Sequence, residues 1–326
     1  MQFSAHTLLP YASGALGAWD SPEGICLRRL TPQQLQQFDA DPHRAIRTRC
    51  NAGIVLEMDT DAAALEMDYR LQKDAPRPYG YVEVFVDGAP FAAEGSDTQM
   101  ALEGSLRLAL PSGAKRLQIV LPALHEMAIS RLALQGETRV APVAHRFRYL
   151  AFGDSISQGY DAIFSSQAYP TRIARAIDAL LVNQAIGGDV FRANYPQALP
   201  GFAPDLITVA YGTNDWSSRA REDFEEAMAG FFQNLHSAYP GAPVLAITPI
   251  WRADGEELPR FGPFGAVGEA IRRECAKYGY TVIDGLSLVP HDSRYFYDAR
   301  LHPNAEGFGH YFANLIGAVR QTLKIE

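Results

Sequence analysis

The sequence predicts an α/β protein, with a parallel sheet flanked by helices preceded by an antiparallel β-sandwich. Two observations carry that prediction. Up to about residue 143, short runs alternate apolar and polar residues with period two and are punctuated by turn residues. From residue 144 onward, apolar strands alternate with longer stretches whose apolar residues recur at helical spacing. The chain's 326 residues exceed the size at which one core usually stops growing. Two domains are therefore expected, 1–143 and 144–326.

In the first domain the strand-like runs are 52–58, 64–69, 81–86, 105–110, 116–121 and 127–132. Val86-Asp87-Gly88 and Pro111-Ser112-Gly113 supply turns between them. The style changes near Val140-Ala141-Pro142-Val143-Ala144-His145. Beyond it, Phe147 to Phe152, the stretch around Leu180-Leu181-Val182, and Leu206 to Tyr211 read as buried strands. Glu222 to Tyr239, Gly268 to Tyr278 and Ala305 to Leu323 read as helices.

Four polar blocks stand at the ends of these elements. Gly153-Asp154-Ser155-Ile156-Ser157-Gln158-Gly159 follows the first strand of the second domain. A hydroxyl on a tight turn there is open to substrate while its backbone stays fixed, because ligands of open parallel sheets bind beyond the strands' carboxyl ends. Asn183 to Asp189 carries Gly187-Gly188, and glycine lets a backbone N–H approach a ligand closely. Gly212-Thr213-Asn214-Asp215 offers a side-chain amide donor, and Asp298-Ala299-Arg300-Leu301-His302-Pro303-Asn304 sets a histidine at the mouth of the last helix. A serine hydroxyl is a poor nucleophile at neutral pH and needs a base with a pKa near 7, which His supplies.

Together the four blocks resemble the SGNH (GDSL-type) esterase and acyltransferase superfamily, in its two-domain form with an N-terminal sandwich. The resemblance runs from Phe147 to the C-terminus and implies a flavodoxin-like catalytic domain. Carried over position by position, it implies Ser155 as nucleophile and His302 as base. It also implies an oxyanion hole of the Ser155 N–H, the Gly188 N–H and the Asn214 side chain. One position departs from the family pattern, where an orienting Asp stands three residues before the His. Here that position is Ala299, and Asp298 lies one residue further away. Either the loop absorbs the extra residue and Asp298 completes the triad, or His302 is oriented by a backbone carbonyl or by Asp292 or Asp284. Asp298 is the preferred assignment.

The expected function is a serine esterase removing a short acyl group from a carbohydrate or another small hydroxylated molecule. An acyltransferase using the same residues is the alternative, and a non-catalytic binding protein on the same fold is the third reading. Tyr211, Trp216 and Trp251, at or just after strand ends, are candidate substrate-binding residues, with packing under the loops as the competing account. Asp154, Asp189 and Asp215 are expected to hold their own loops. The sandwich has the look of a carbohydrate-binding jelly roll. It is expected to act as a wall or scaffold ahead of sugar binding or a homo-oligomeric contact.

Other chemistries lack sequence support. The second domain has no Gly-x-Ser-x-Gly elbow at its serine, and the chain has no His-Glu-x-x-His, paired Cys-x-x-Cys or P-loop run. No metal or other cofactor is expected. A net charge of −8 argues against a nucleic-acid surface. Cys26, Cys50 and Cys275 are few and odd in number, which suits reduced thiols. The N-terminus lacks a basic start and an apolar core, and no apolar stretch approaches a membrane span, so the expected compartment is cytoplasmic.

Overall fold

A computed structural model of the chain describes residues 3–325. The chain forms two compact units. One runs through His145 and takes in Ile163–Ser166 and Leu181–Asn183; the other comprises Arg146–Ala162, Gln167–Leu180 and the chain from Gln184 onward.

The first unit is built on two antiparallel sheets. One has the strand order Ala12–Ser13, Val55–Thr60, Lys115–Val120, Gly80–Val86 and Ala89–Ser96, with Val140–Pro142 also paired to Val55–Thr60. The other has the order Gly17–Ser21, Gly24–Arg28, Met127–Gln135, Ala64–Leu71 and Glu103–Ala109. Alternation decides which side chains face inward: in Ala64–Leu71, Leu65, Met67, Tyr69 and Leu71 are all buried. They join Leu56, Met58, Val82, Val84, Leu117, Ile119 and Leu132 in one core. Burial of each such large side chain contributes roughly 1.5–3 kcal/mol. Asp87 and Gly88 have φ of 51° and 79°, so the hairpin between Gly80–Val86 and Ala89–Ser96 closes through the positive-φ turn that matches strand twist.

Five of these strands are not apparent from the sequence pattern, among them the two-residue Ala12–Ser13 and the three-residue Val140–Pro142. Ala89–Ser96 is an edge strand of mostly exposed small residues, defined by the turn before it rather than by its own alternation. Gly17–Ser21 and Gly24–Arg28 pair with each other across a short turn.

From Phe147 onward the chain carries a five-stranded sheet. Its elements in chain order are β1 (Phe147–Gly153), α1 (Ser155–Gln158), α2 (Tyr169–Ile177), β2 (Ala179–Asn183), β3 (Leu206–Ala210), α3 (Thr213–Ser218), α4 (Arg221–Ala238), β4 (Val244–Ile247), α5 (Gly265–Ala276), β5 (Thr281–Ile283) and α6 (Ala305–Leu323). The strand order is β2-β1-β3-β4-β5, and β1, β3, β4 and β5 pair in parallel. β1 and β3 are apolar nearly throughout because helices cover both faces. In this order the connections diverge between β1 and β3, which opens a crevice at the carboxyl ends of those two strands.

Cys26, Cys50 and Cys275 are free and buried. Among the described residues, no helix is long and apolar enough to cross a membrane.

Candidate active site

The crevice beyond β1 and β3 is where the polar blocks meet. β1 ends in Gly153, and a Cβ there would lie 2.2 Å from Ser157 Oγ, so glycine is what lets Ser157 approach this closely. Asp154 caps the short helix α1 by accepting the Ile156 N–H at 3.0 Å, and Gly159 ends it in the left-handed region at φ 101°. Ser155 is thereby held at the first turn of α1 with only 3% of its surface exposed.

His302 precedes α6, whose N-cap Asn304 accepts the Gly307 N–H at 3.0 Å. Its Nε2 lies 2.9 Å from Ser155 Oγ, although the two residues are 147 positions apart. Its Nδ1 lies 2.8 Å from Asp298 Oδ2. The extra residue between Asp298 and His302 is taken up by Ala299, which lies at φ 56°. The other carboxylate oxygen, Oδ1, accepts the backbone N–H groups of Arg300, Leu301 and His302 at 3.0, 2.7 and 3.1 Å. Burial raises the Asp298 pKa, but the imidazole and these three N–H groups outweigh it and hold the carboxyl well below the usual carboxylate range. Asp284 and Asp292, the more distant acids, are engaged elsewhere. Asp284 accepts the Leu286 N–H at 3.3 Å, and Asp292 accepts the Arg294 N–H at 3.0 Å.

Gly188 lies at φ 71° in the loop after β2, and Asn214 in the first turn of α3. Asn214 Nδ2 donates to the Asp189 carbonyl at 2.9 Å, tying the two loops together. Gly188, Asn214 and His302 share a property: each is part-exposed between two buried neighbours. In two of the four blocks, those of Gly188 and Asn214, the single part-exposed residue is thus the one the family resemblance singles out.

The neighbouring acids hold the loops. The Asp189 carboxylate pairs with Arg192 at 2.8 Å, and Asp215 accepts the Phe191 N–H and pairs with Arg219 at 3.3 Å. Burial pushes the carboxyls of Asp154 and Asp215 up to about 7, and the negative charge of Asp189 adds to both shifts.

Of the three aromatic candidates for substrate contact, two are corrected by the fold. Tyr211 is 2% exposed and packs against Phe191 and Phe231. Trp216 is 1% exposed, with its Nε1 donating to the Gly262 carbonyl at 2.9 Å and its ring under the Arg252 guanidinium. Both are drawn inward because the loops fold over the strand ends and need apolar filling there. Trp251 is half-buried, stacked on His291 and tilted against Phe296.

Several site residues carried no signal in the sequence. Gln158 Oε1 accepts the Gly187 N–H at 2.6 Å and links α1 to the glycine loop. The Tyr160 ring stacks on the imidazole with centroids 5.6 Å apart. Arg252, 4% exposed, donates to the Thr213 carbonyl and pairs with Asp254, which also receives Arg300 at 2.8 Å. The Arg252 hydrogen bond is the main cause that lowers the Asp254 carboxyl to about 2. Such long-range pairings leave no local periodicity to read.

A parallel α/β sheet in the 2-1-3-4-5 order, with Ser, Gly, Asn and His blocks on the loops that follow its strands, is an SGNH-like fold, and the N-terminal unit of the chain adds two antiparallel sheets. Residues 151–309 match the model of the GDSL-like Lipase/Acylhydrolase family. No curated protein matches the sequence. Among solved structures, the chain is similar to the salicylyl-acyltransferase SsfX3 from a tetracycline biosynthetic pathway. That match has 20% identity and a TM-score of 0.81, and covers 97% of this chain and 96% of that one. It is also similar to a family two carbohydrate esterase from Cellvibrio japonicus, with 16% identity, TM-score 0.68 and coverage of 99% and 98%. An acetyl xylan esterase from the rumen bacterium Butyrivibrio proteoclasticus is similar at 14% identity, TM-score 0.64 and coverage of 99% and 98%. These likenesses establish a shared fold.

Proposed function

We propose that the protein is a serine esterase that removes short acyl groups from a carbohydrate or another small hydroxylated molecule. The observation that carries this reading is the 2.9 Å approach of His302 Nε2 to Ser155 Oγ, with Asp298 on the opposite ring nitrogen. With Nδ1–H donated to Asp298, Nε2 is left basic and faces the hydroxyl. His302 takes the Ser155 proton as Oγ attacks the acyl carbonyl. Negative charge then develops on the carbonyl oxygen. The Ser155 N–H, the Gly188 N–H and the second Nδ2–H of Asn214 are the donors that stabilise it; the first Nδ2–H is committed to the Asp189 carbonyl, which fixes the amide plane. Collapse expels the alcohol, protonated by His302, and leaves an acyl-Ser155. Water, deprotonated by the same imidazole, releases the acid and restores the serine.

A small acyl group fits a nucleophile that is only 3% exposed. Two of the structural relatives are described as a carbohydrate esterase and an acetyl xylan esterase, which supports a sugar-borne ester. Trp251, half-buried, is the remaining aromatic candidate for contact with such a substrate.

The deciding experiment is intact-protein mass spectrometry after exposure to a fluorophosphonate, with p-nitrophenyl acetate turnover recorded in parallel. One adduct that is lost in Ser155→Ala, together with turnover, supports the esterase. Full turnover in Ser155→Ala refutes it. Acyl transfer is the second reading, favoured by the likeness to the salicylyl-acyltransferase. It predicts that an added alcohol captures most of the acyl-enzyme, whereas the esterase loses it to water.

A further inference from the structure

A second carboxylate faces His302. Asp161 is fully buried, and its Oδ2 lies 3.4 Å from His302 Nδ1, the same nitrogen that Asp298 reaches at 2.8 Å. The donor atoms of Asp161, Asp298 and His302 all lie within 4.8 Å of one another. The two acids arrive from segments 137 residues apart in sequence: Asp298 from the loop before α6, and Asp161 from the loop that leaves α1. That second loop is wound tightly, with Gly159 at φ 101° and Asp161 at φ 66°, both in the left-handed region. The consequence is that Tyr160 lies against the imidazole face while Asp161 lies at its edge. A buried carboxylate in a sparsely populated backbone conformation is costly and persists only where its surroundings hold it there.

Resting on the proposed role of His302 as base, we infer that Asp161 is a second positioning acid for that base, acting through the imidazole and not on the substrate. When His302 takes the Ser155 proton it becomes imidazolium, with Nδ1–H and Nε2–H both present. Asp298 accepts the Nδ1–H, and Asp161 adds a second negative charge within ion-pair distance of the same nitrogen. An opposite charge within about 4–6 Å favours the charged form of an ionisable group, here the imidazolium. The groups facing the ring are Asp298 from its own loop, Tyr160 and Asp161 from the loop after α1, and Ser155 from α1. Arg300, a cation on the histidine's own loop, is turned to Asp254.

This arrangement bears on the extra residue in the histidine loop. In a site with one acid, removing Asp298 would leave the imidazole with no carboxylate partner. Here Asp161 remains, so Asp298→Asn is expected to retain a substantial fraction of activity, and that remainder is expected to depend on Asp161.

The test uses Asp161→Asn, Asp298→Asn and the double variant. Asn tolerates the left-handed backbone at position 161, so the loop conformation is preserved. The pH dependence of kcat/KM is measured on p-nitrophenyl acetate, and the His302 ring resonance is titrated by NMR in a Ser155→Ala background. Asp161→Asn is expected to shift the acid limb and the His302 titration downward. The double variant is expected to lose more than the product of the two single losses. An unchanged His302 titration in Asp161→Asn, or strictly multiplicative losses, overturns the inference. A lowered melting temperature with an unmoved titration also overturns it, because that is what a purely structural role would give. The titration needs no turnover. Failure of the esterase reading, seen as activity in Ser155→Ala itself, is therefore distinguishable from failure of the Asp161 role.

Discussion

Asp298 grips His302 at two points: its Oδ1 accepts the His302 backbone N–H at 3.1 Å while its Oδ2 meets the ring Nδ1 at 2.8 Å. One carboxylate thus sets both the loop and the imidazole, despite the residue inserted between it and the usual spacing. The following expectations test how the site depends on that and related contacts.

Ser155→Ala and His302→Ala are each expected to lower kcat on p-nitrophenyl acetate by on the order of a thousandfold or more, with KM little changed. The double variant should be no worse than either single one, because the two residues act as one unit. Steady-state kinetics on the three proteins checks this.

Ala299→Val is expected to lower both stability and activity. Ala299 lies at φ 56°, where a β-branched side chain is strained by about 1–2 kcal/mol. Ala299→Gly removes the existing strain and should leave activity intact. Thermal melts of the two variants, read beside their kcat values, separate loop strain from any general intolerance of substitution.

Gly187→Ala should impair catalysis without touching a reacting group. A Cβ at 187 would lie 2.4 Å from the Tyr160 hydroxyl and 2.6 Å from its ring, and that ring stacks on His302. Overpacking of this kind costs about 1–3 kcal/mol. Gly188→Ala meets a separate penalty from its φ of 71°. Slower fluorophosphonate labelling of a folded Gly187→Ala protein is the expected result.

Asp154 should make stability fall between weakly acidic and neutral pH. Burial raises its folded pKa to about 7, above the unfolded value of about 3.9. Over that interval the folded state binds more protons than the unfolded one, so stability declines as pH rises and levels off above the folded pKa. Asp215, pushed to about 7 by burial as well, adds in the same direction. Asp154→Asn keeps an acceptor for the Ile156 N–H and removes the titration. Its melting temperature relative to the parent should increase from pH 5 to pH 8, and a constant difference would contradict the assignment.

Asp254→Ala should destabilise the α/β unit. It strips the carboxylate partner from Arg252, whose side chain is 3% exposed, and releases Arg300. Leaving a buried guanidinium without its ion pair costs about 3 kcal/mol or more. Chemical denaturation of the variant measures the loss. The parent should weaken in the same sense only in strong acid, since the Asp254 carboxyl titrates at about 2.

Much of the architecture was legible before any coordinates. Period-two alternation in 64–69, 81–86 and 116–121 marks strands that the structure contains as Ala64–Leu71, Gly80–Val86 and Lys115–Val120. Helical spacing in Ala305 to Leu323 marks α6 to the residue. The run 52–58 reads three residues early against Val55–Thr60, because Ala52 and Ile54 are buried without being in the strand. Ala89–Ser96 was not legible, because its small residues are set by a turn and an edge position rather than by their own pattern.

The sequence by itself placed the candidate residues in short polar blocks: Ser155, Gly188, Asn214 and His302 each stand in one whose local turn follows from its own residue types. Tertiary structure alone decided which of these groups meet and what surrounds them. Strand order brings Ser155 and His302 within 2.9 Å across 147 residues. One left-handed residue lets Asp298 reach the imidazole, core packing withdraws Tyr211 and Trp216, and a coiled loop delivers Asp161. The physical reason is range. Turn and capping preferences act over a few bonds and are written in neighbouring residues. A contact between distant segments is set by the sheet and core that position both, and neither segment encodes it alone.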